Sequence, residues 1–247
     1  MKQFGLKGIS LPAEYGGSDF DTVDHSAAVM ELAKVDAPEA ITMVSHKSLE
    51  TSPLFLFRKG KLEKKYLPKI ASGEALLGLG LTDPPASSDK KSIGTVFIKI
   101  GQKCPYIFIG ALSVITAKGA YKKAMVYSKD RIAFGKPINH FQSNSFILTY
   151  MATKIEATEL LVCQGAWLKD RREDFTNKAT MVKLYASEAD MEIAWEAIQI
   201  HGGYHYVNEY DVERFFRESK TLEIVEGTSE IQRLTISIEI FKDKMTS

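Results

Sequence analysis

One acidic residue near the end of the chain has the surroundings of a possible catalytic base. Glu226 directly precedes Gly227, Thr228 and Ser229, and a short amphipathic run follows. A carboxylate can take a proton from carbon when loss of solvent raises its pKa. The start of a helix acts in the opposite direction, because its dipole stabilises the ionised form. Taken alone, such a residue is more often a solvated acid before a capped helix than a base.

Two further stretches contain residue types that suit a phosphate-bearing ligand. Arg131 stands where a long helical pattern ends, and residues 201–206 read "HGGYHY". Arginine binds phosphate well, and glycine lets a ligand approach the backbone closely. The plainer interpretations are a favourable charge at a helix C-terminus and a glycine that stops a helix. Each motif by itself indicates only a helical globular protein.

The overall composition argues against several classes of protein. The 247 residues contain 32 Lys plus Arg and 31 Asp plus Glu, and the scattered basic residues give no nucleic-acid footprint. Cys104 and Cys163 have neither metal-ligand spacing nor a disulfide framework. The longest apolar stretch, residues 106–115, is about half of the roughly 18 residues that a membrane span requires. We therefore expect a cytoplasmic protein without a metal, a membrane span or a nucleic-acid partner.

Apolar residues at helical spacing dominate the chain after about residue 106. The predicted elements are helices over residues 111–131, 144–170, 176–199 and 229–241, with a short polar helix or turn over residues 209–219. Ser229 and Gln232 fit a capping box at the start of the last helix. Successive amphipathic helices with short connections are typical of an up-down four-helix-type bundle.

The front of the chain is also predicted to be helical. The pattern indicates helices over residues 22–36 and 40–57, and a short basic helix that is ended by Pro68 and Gly73. Asp21 or Thr22 is a suitable N-cap for the first of these helices.

Residues 81–105 differ from the rest of the sequence. Adjacent prolines at 84 and 85 break regular structure in "LTDPPASSD", residues 81–89. Residues 95–100, "TVFIKI", give the only convincing strand signal in the sequence. A lone strand is not stable without a partner. The fold class is therefore predicted to be mainly α.

Five motifs in fixed order resemble the C-terminal helical domain of acyl-CoA dehydrogenases. They are "RIAFGKPINHFQ", "MATKIEATELLV", "KLYASEADMEIAWEAIQIHGGYHY", "VERFFRESK" and "EIVEGTSEIQ". Two earlier segments, "LKGISLPAEYGG" and "YLPKIASGEALLGLGLTDPPASSD", look like that family's N-terminal helical domain and its acyl-CoA-contacting loop. The resemblance covers roughly residues 4–89 and 106–240.

This resemblance implies a particular reaction. Hydrogens would leave the α and β carbons of an acyl-CoA thioester, giving a trans-2-enoyl-CoA and reduced FAD. In the family the base most often lies immediately before Gly-Thr, and Glu226 has that position here. The base and the flavin would have to lie on opposite sides of the acyl chain. Exclusion of water by the bound substrate would then raise the pKa of Glu226.

The resemblance also implies binding residues and partners. The residues expected to contact FAD are Arg131, Phe134, Phe141, Gln142, Gln199, Ile200, His201, Gly202, Gly203, Thr228 and Glu230. Substrate contacts would come from Gly227 and Ser88. In the family several of these contacts reach the FAD of a neighbouring subunit, which implies a homodimer or homotetramer. The expected electron acceptor is an electron-transfer flavoprotein.

The largest departure from the family is an absence. Family members have a β-rich middle domain, a β-barrel, between the acyl-CoA loop and the C-terminal helices. Only residues 90–105 occupy that interval here, and even small domains need some fifty residues. We therefore expect three parts. They are an N-terminal helical domain over residues 1–89 that lacks the family's first helix, a linker or remnant strand over 90–105, and a helical bundle over 106–247.

Smaller departures lie in the substrate region. Pro85 and Ser87 replace both glycines of the usual family loop, and Tyr106 stands where many members carry an arginine that assists substrate binding. Three interpretations stay open. The chain is an FAD-dependent acyl-CoA dehydrogenase, a non-enzymatic helical scaffold that retains the oligomer surface, or an internally deleted product without a stable fold.

Overall fold

The computed structural model describes residues 5–33, 37–46, 51, 60–75, 104–171, 173 and 175–241. The helices are α1 (Thr22–Ala33), α2 (Ala37–Ser45), α3 (Lys61–Ala71), α4 (Cys104–Asp130), α5 (Gln142–Asp170), α6 (Thr176–His201), α7 (Val212–Ile224) and α8 (Ser229–Phe241). A hairpin of two short antiparallel strands, β1 (Ile132–Ala133) and β2 (Lys136–Pro137), joins α4 to α5. The mainly α fold class is confirmed.

Helices α4 to α7 form the expected bundle, and α6 lies at its centre. Helix α6 packs against α4, α5, α7 and α8. Helix α4 comes close to two of its neighbours at glycines, where no side chain separates the helices. A Cβ on Gly110 of α4 would lie 2.5 Å from Val182 of α6, and a Cβ on Gly119 would lie 2.4 Å from Phe215 of α7.

One apolar core joins the N-terminal helices to the bundle. Val29 of α1 and Met43 of α2 are buried together with Phe108 and Leu112 of α4 and Val182 of α6. A second cluster lies farther along the bundle, around Met151 of α5 and Ile193 of α6. The N-terminal helices therefore pack directly on the first half of α4. Burial of this kind contributes about 1.5–3 kcal/mol to stability per large side chain.

Several predicted boundaries are corrected by the structure. Helix α4 begins at Cys104, seven residues before the predicted start, because its first turns contribute to the core. Pro68 lies inside α3 and does not end it; the helix ends at Ala71. Helix α7 extends to Ile224, beyond the short element predicted over residues 209–219. The β1–β2 hairpin was not predicted.

Some predictions lie outside the described residues. They are the loop over residues 81–89 with Pro85, Ser87 and Ser88, the strand over residues 95–100, and the later part of the helix over residues 40–57. Within the described part of the chain, no helix combines the length and apolarity needed to cross a membrane. The same part holds no group of three or more His, Cys, Asp or Glu suited to a metal ion.

Candidate active site and cofactor cleft

Glu226 lies in a tight connection between α7 and α8. Val225 is extended with φ −62° and ψ 151°, and two left-handed residues follow, Glu226 at φ 59° and Gly227 at φ 103°. The left-handed conformation costs a non-glycine residue roughly 1–2 kcal/mol. Other groups must therefore hold Glu226 in this conformation.

Two buried side chains fix this connection from neighbouring helices. The Nζ of Lys183 on α6 donates to the carbonyl oxygens of Glu223 and Gly227, at 2.8 Å each. The Nε2 of Gln232 on α8 donates to the carbonyls of Glu226 at 3.2 Å and Gly227 at 3.1 Å. Both donors are fully buried. The backbone around Glu226 is therefore held from two sides.

This arrangement corrects the capping box expected for α8. The Gln232 side chain bonds to the carbonyls before the helix, while among the described residues Ser229 Oγ has no hydrogen-bond partner. The N–H of Gln232 bonds to the carbonyl of Thr228 at 3.0 Å. The Thr228 hydroxyl donates to the carboxylate of Glu230 and lowers its pKa. Thr228 and Glu230 thus interact with each other at the start of α8.

The surroundings of Glu226 change its acidity in the direction that a base requires. Burial raises the pKa of Glu226 to about 7, and the positive charge of Lys183 opposes the rise. The helix start was expected to keep this residue acidic, yet desolvation by the protein's own groups outweighs it. A carboxyl group of this pKa exchanges its proton near neutral pH, as a general base must.

Tyr106, in the first turn of α4, faces the same site. Burial raises the pKa of its phenol, the side chain of Gln232 opposes the rise, and the charge of Glu226 adds to it. Tyr106 is therefore close enough to Glu226 for the two groups to affect each other's charge. Tyr106 was singled out in the sequence only as a departure.

A second feature is a cleft of about 540 Å³ between the ends of α4 and α6. Its lining residues are Tyr127, Arg131, Ile138, Ile200, His201, Gly202, Gly203, Tyr204 and Val207. The Arg131 guanidinium lies over the Tyr204 ring at 5.4 Å, and the rings of Tyr127 and His201 stack at 4.4 Å. Burial lowers the pKa of His201.

The residues of this cleft fit a phosphate-bearing, aromatic ligand such as FAD. A Cβ added to Gly202 or to Gly203 would meet nothing within 4 Å, so open space lies against this backbone. The exposed Arg131 supplies a guanidinium for phosphate, and the aromatic rings offer faces for stacking. The cleft therefore combines a guanidinium, open backbone and aromatic faces, which suit a phosphate-bearing aromatic ligand.

The β1–β2 hairpin beside this cleft displays an aromatic side chain. Phe134 sits at the turn with φ 50° and is 97% exposed. Its ring lies 6.1 Å from that of Phe141, and the Nζ of Lys136 lies 4.4 Å above the Phe141 ring. Gln142 follows as the first residue of α5. The hairpin therefore presents one large apolar ring to solvent at the edge of the cleft.

Comparison with known families supplies the identification. Residues 107–241 match the acyl-CoA dehydrogenase C-terminal domain, and residues 1–74 match the acyl-CoA dehydrogenase N-terminal domain. The chain belongs to the acyl-CoA dehydrogenase family. Its members are FAD-binding flavoproteins, so FAD is the cofactor to consider for the cleft.

Individual relatives cover nearly the whole chain. The probable acyl-CoA dehydrogenase YngJ of Bacillus subtilis is 32% identical over 336 residues, 98% of this chain and 88% of the relative. The caffeyl-CoA reductase-Etf complex subunit CarC of Acetobacterium woodii is 29% identical over 335 residues, with the same two coverages. Both alignments are longer than this 247-residue chain. The relatives therefore have internal residues without a counterpart here, as a missing middle domain requires.

Part of the chain is more similar still to one relative. Cyclohexane-1-carbonyl-CoA dehydrogenase of Geobacter metallireducens is 43% identical over 135 residues, 55% of this chain and 36% of the relative. Among solved structures, butyryl-CoA dehydrogenase from Megasphaera elsdenii superimposes with a TM-score of 0.90 at 26% identity, covering 97% of this chain and 88% of that chain. These matches confirm the helical acyl-CoA dehydrogenase fold.

The residues predicted for FAD fall into two separate regions. Arg131, Ile200, His201, Gly202 and Gly203 share the cleft, whereas Gln199 is not among its lining residues. Thr228 and Glu230 lie with Glu226 and Gly227, near Lys183. Lys183 and His201 are about 27 Å apart along α6, at 1.5 Å per residue. One flavin ring cannot contact both regions.

Sequence reasoning missed Lys183. The residue lies at helical spacing with Ala179 and Ala186, both of which are buried on α6. A lysine on a core-facing stripe signals a buried cation with a specific partner, since lysine is almost never fully buried unless paired. That pattern could have identified it.

Proposed function

We propose that this chain is an FAD-dependent oxidoreductase that interconverts an acyl-CoA thioester and its trans-2-enoyl-CoA, with Glu226 as the base at the α carbon. The observation that carries the proposal is the state of Glu226. It is held in a left-handed conformation by two buried donors, and its pKa is about 7. Such a carboxylate is suited to proton transfer near neutral pH.

In the forward direction Glu226 takes the α-proton, and the electron pair of that C–H bond becomes part of the new double bond. FAD, when bound, would supply the acceptor for the hydride that leaves the β carbon. Water must be excluded from the carboxylate during this step, since solvation would lower its pKa and its strength as a base. The protein already provides part of this exclusion, because burial is the main cause of the raised pKa.

Binding residues are proposed on the same basis. Arg131 and the Gly202–Gly203 backbone would bind the phosphate-bearing part of FAD, next to the exposed ring of Phe134. Gly227 would contact the acyl-CoA beside Glu226, and Ser88, which lies outside the described residues, is proposed as a further substrate contact. Because the two regions are far apart along α6, we infer that they serve FAD molecules of different subunits in a homodimer or homotetramer.

Relatives catalyse the reaction in either direction by name, and one of the solved structures suggests the electron acceptor. The relatives include dehydrogenases and reductases, such as acryloyl-CoA reductase (NADH) of Anaerotignum propionicum, 27% identical over 339 residues. A chain solved in a study of the electron transferring flavoprotein of Acidaminococcus fermentans has a TM-score of 0.89 at 28% identity. We infer an electron-transfer flavoprotein as the redox partner, and a cytoplasmic enzyme.

The test is a flavin spectrum. The full chain is purified with FAD supplied, and its visible absorption is recorded before and after addition of a short acyl-CoA. Bleaching is expected for the native protein and should fall by about 10²–10⁴-fold in rate for Glu226→Gln, with FAD binding nearly unchanged. Glu156→Gln, an exposed carboxylate on α5, is the matched control and should bleach normally.

Two outcomes would overturn the proposal. Equal bleaching in Glu226→Gln would remove Glu226 from the role of base. A folded, oligomeric protein that binds no FAD would identify the chain as the helical scaffold.

A further inference from the structure

Lys183 is a buried cation that donates hydrogen bonds on both sides of Glu226, to the end of α7 and to the connection that follows it. The side chain is 0% exposed, and its Nζ donates to the carbonyls of Glu223 and Gly227 at 2.8 Å. These carbonyls lie before and after Glu226 in the sequence. A single ammonium group therefore holds the backbone on both sides of the carboxylate.

The Glu223 carbonyl belongs to the last turn of α7, where helical carbonyls lack intrahelical partners. A cation at that position satisfies the carbonyl and complements the helix dipole. The Gly227 carbonyl is shared with Gln232 on α8, which carries no charge. Lys183 and Gln232 therefore share one acceptor but differ in charge, which makes them a matched pair.

Four carboxylates act on the ammonium group of Lys183: Glu223, Glu226, Glu188 and Glu230. Three of them also interact with another side chain. Glu188 is paired with Arg233 at 2.5 Å and Glu223 with Lys220 at 2.5 Å. Glu230 receives a hydrogen bond from the Thr228 hydroxyl.

Glu226 differs from these three carboxylates. Within the described residues, Glu226 forms no ion pair within 4 Å. The cation that acts on its carboxylate is Lys183. Tyr106 is the further ionisable group that faces it, from α4. The balance between burial and the Lys183 charge therefore sets the protonation of Glu226.

Given the proposed function, we propose that Lys183 is a positioning residue for Glu226, which orients the carboxylate through the backbone and stabilises its ionised form. Burial alone would leave the base protonated at neutral pH. A purely structural role, as a cap of α7, would affect stability but not the titration of Glu226. The two roles therefore predict different results.

The test is a direct titration of Glu226. Glutamate is labelled with ¹³C at the carboxyl carbon in the full chain with FAD supplied, and the Glu226 signal is assigned by its loss in Glu226→Gln. Lys183→Met should raise the pKa of Glu226 by about one unit, since an opposite charge typically shifts a carboxyl by that amount or more. Gln232→Met, which removes the uncharged donor, should leave the titration nearly unchanged. Equal shifts in the two variants would overturn the proposal.

A reciprocal measurement covers the case in which Lys183→Met does not fold. Coupling between two sites is mutual, so Glu226→Gln should lower the pKa of Lys183 by the same amount. The Lys183 side-chain signal of ¹⁵N-lysine-labelled protein reports this shift. An unchanged Lys183 titration would overturn the proposal without any variant of Lys183.

Flavin bleaching separates this proposal from the proposed function. Bleaching by acyl-CoA without a titration shift would overturn the role of Lys183 and leave the dehydrogenase assignment intact. A titration shift without bleaching would support the coupling and overturn the dehydrogenase assignment. Where the protein is active, the acidic limb of the kcat profile should move to higher pH in Lys183→Met and stay in place in Lys183→Arg.

Discussion

The carboxylate of Asp170, at the end of α5, accepts hydrogen bonds from the backbone N–H of Thr22, the first residue of α1, at 2.9 and 3.1 Å. The same carboxylate accepts a third hydrogen bond from the N–H of Val23 at 3.0 Å. The first N–H groups of a helix have no intrahelical acceptor, and a negative charge there also complements the dipole. One carboxylate of the C-terminal bundle therefore caps a helix of the N-terminal part.

Asp170→Ala should lower the free energy of unfolding by about 1–2 kcal/mol, the usual cost of losing a helix cap. Urea unfolding followed by circular dichroism measures it. Asp21→Ala is the matched control, because Asp21 caps the same helix locally through the N–H of Asp24 at 2.8 Å. Hydrogen exchange should then increase in α1 for both variants, and at the end of α5 only for Asp170→Ala. Unchanged exchange in α5 would contradict a link between the two parts.

These two caps illustrate what the sequence can and cannot reveal. Asp21 was one of two predicted N-caps, with Thr22, because a local cap depends on neighbouring residues just before an amphipathic run. Asp170 was not predicted, because its partners are 147 and 148 residues away and only tertiary packing joins them. The same limit applies to the acceptors of Lys183, which lie on α7 and in the connection after it.

The candidate base was predicted for a different reason. Glu226 was identified through a resemblance that depends on the order of several motifs. Its half-buried state could not be predicted, because burial follows from tertiary packing that no local pattern specifies. Pro68 was misjudged because proline usually ends a helix, yet α3 continues for three more residues. The β1–β2 hairpin was missed because its strands are two residues long and show no alternation.

The raised pKa of Glu226 predicts a pH dependence of stability. Its folded value of about 7 exceeds the ordinary 4.5, so the folded protein binds more protons than the unfolded chain between these values. The free energy of unfolding should therefore fall as pH rises from about 4.5 to about 7, by roughly 1–2 kcal/mol after allowance for solvent screening.

Urea unfolding at pH 5 and pH 7.5 measures this effect. Glu226→Gln, which is neutral throughout, should lose this part of the slope and be the more stable protein at pH 7.5. In the native protein, turnover should rise through the same range, because the base acts when deprotonated. Identical pH slopes in the two proteins would contradict the raised pKa.

Gly227→Ala should lower both stability and activity. A Cβ at this position would lie 3.0 Å from Gln232 Nε2, and φ of 103° is strained for alanine. A cost of about 1–3 kcal/mol in the free energy of unfolding is expected, with displacement of the neighbouring Glu226. Gly16→Ala is the matched control, since Gly16 also has positive φ but its Cβ would meet nothing within 4 Å. Comparable loss of activity in both variants would mean that the Gly227 contact has no special role.

Gly203→Val should reduce FAD affinity while leaving the fold intact. Because a Cβ at Gly203 enters open space, the added side chain causes no clash within the protein. It would instead occupy the cleft proposed for FAD, beside Arg131. A loss of about tenfold or more in affinity, about 1.4 kcal/mol, is expected by flavin fluorescence titration, with an unchanged Tm of the FAD-free protein. Gly203→Ala should give a smaller loss, and normal FAD binding by the valine variant would exclude Gly203 from the site.

Tyr106→Arg should lower the pKa of Glu226 and move the acidic limb of the activity profile to lower pH. The charge of Glu226 already acts on the Tyr106 phenol, so a cation introduced at this position would stabilise the carboxylate by the same coupling. Tyr106→Phe is the control for loss of the hydroxyl, because it adds no charge and should leave the acidic limb nearly in place. Titration of the ¹³C-labelled Glu226 carboxyl in the three proteins measures the shift, with an expected fall of about one unit in Tyr106→Arg. An equal shift in the phenylalanine variant would show that packing, and not charge, connects Tyr106 to the proposed base.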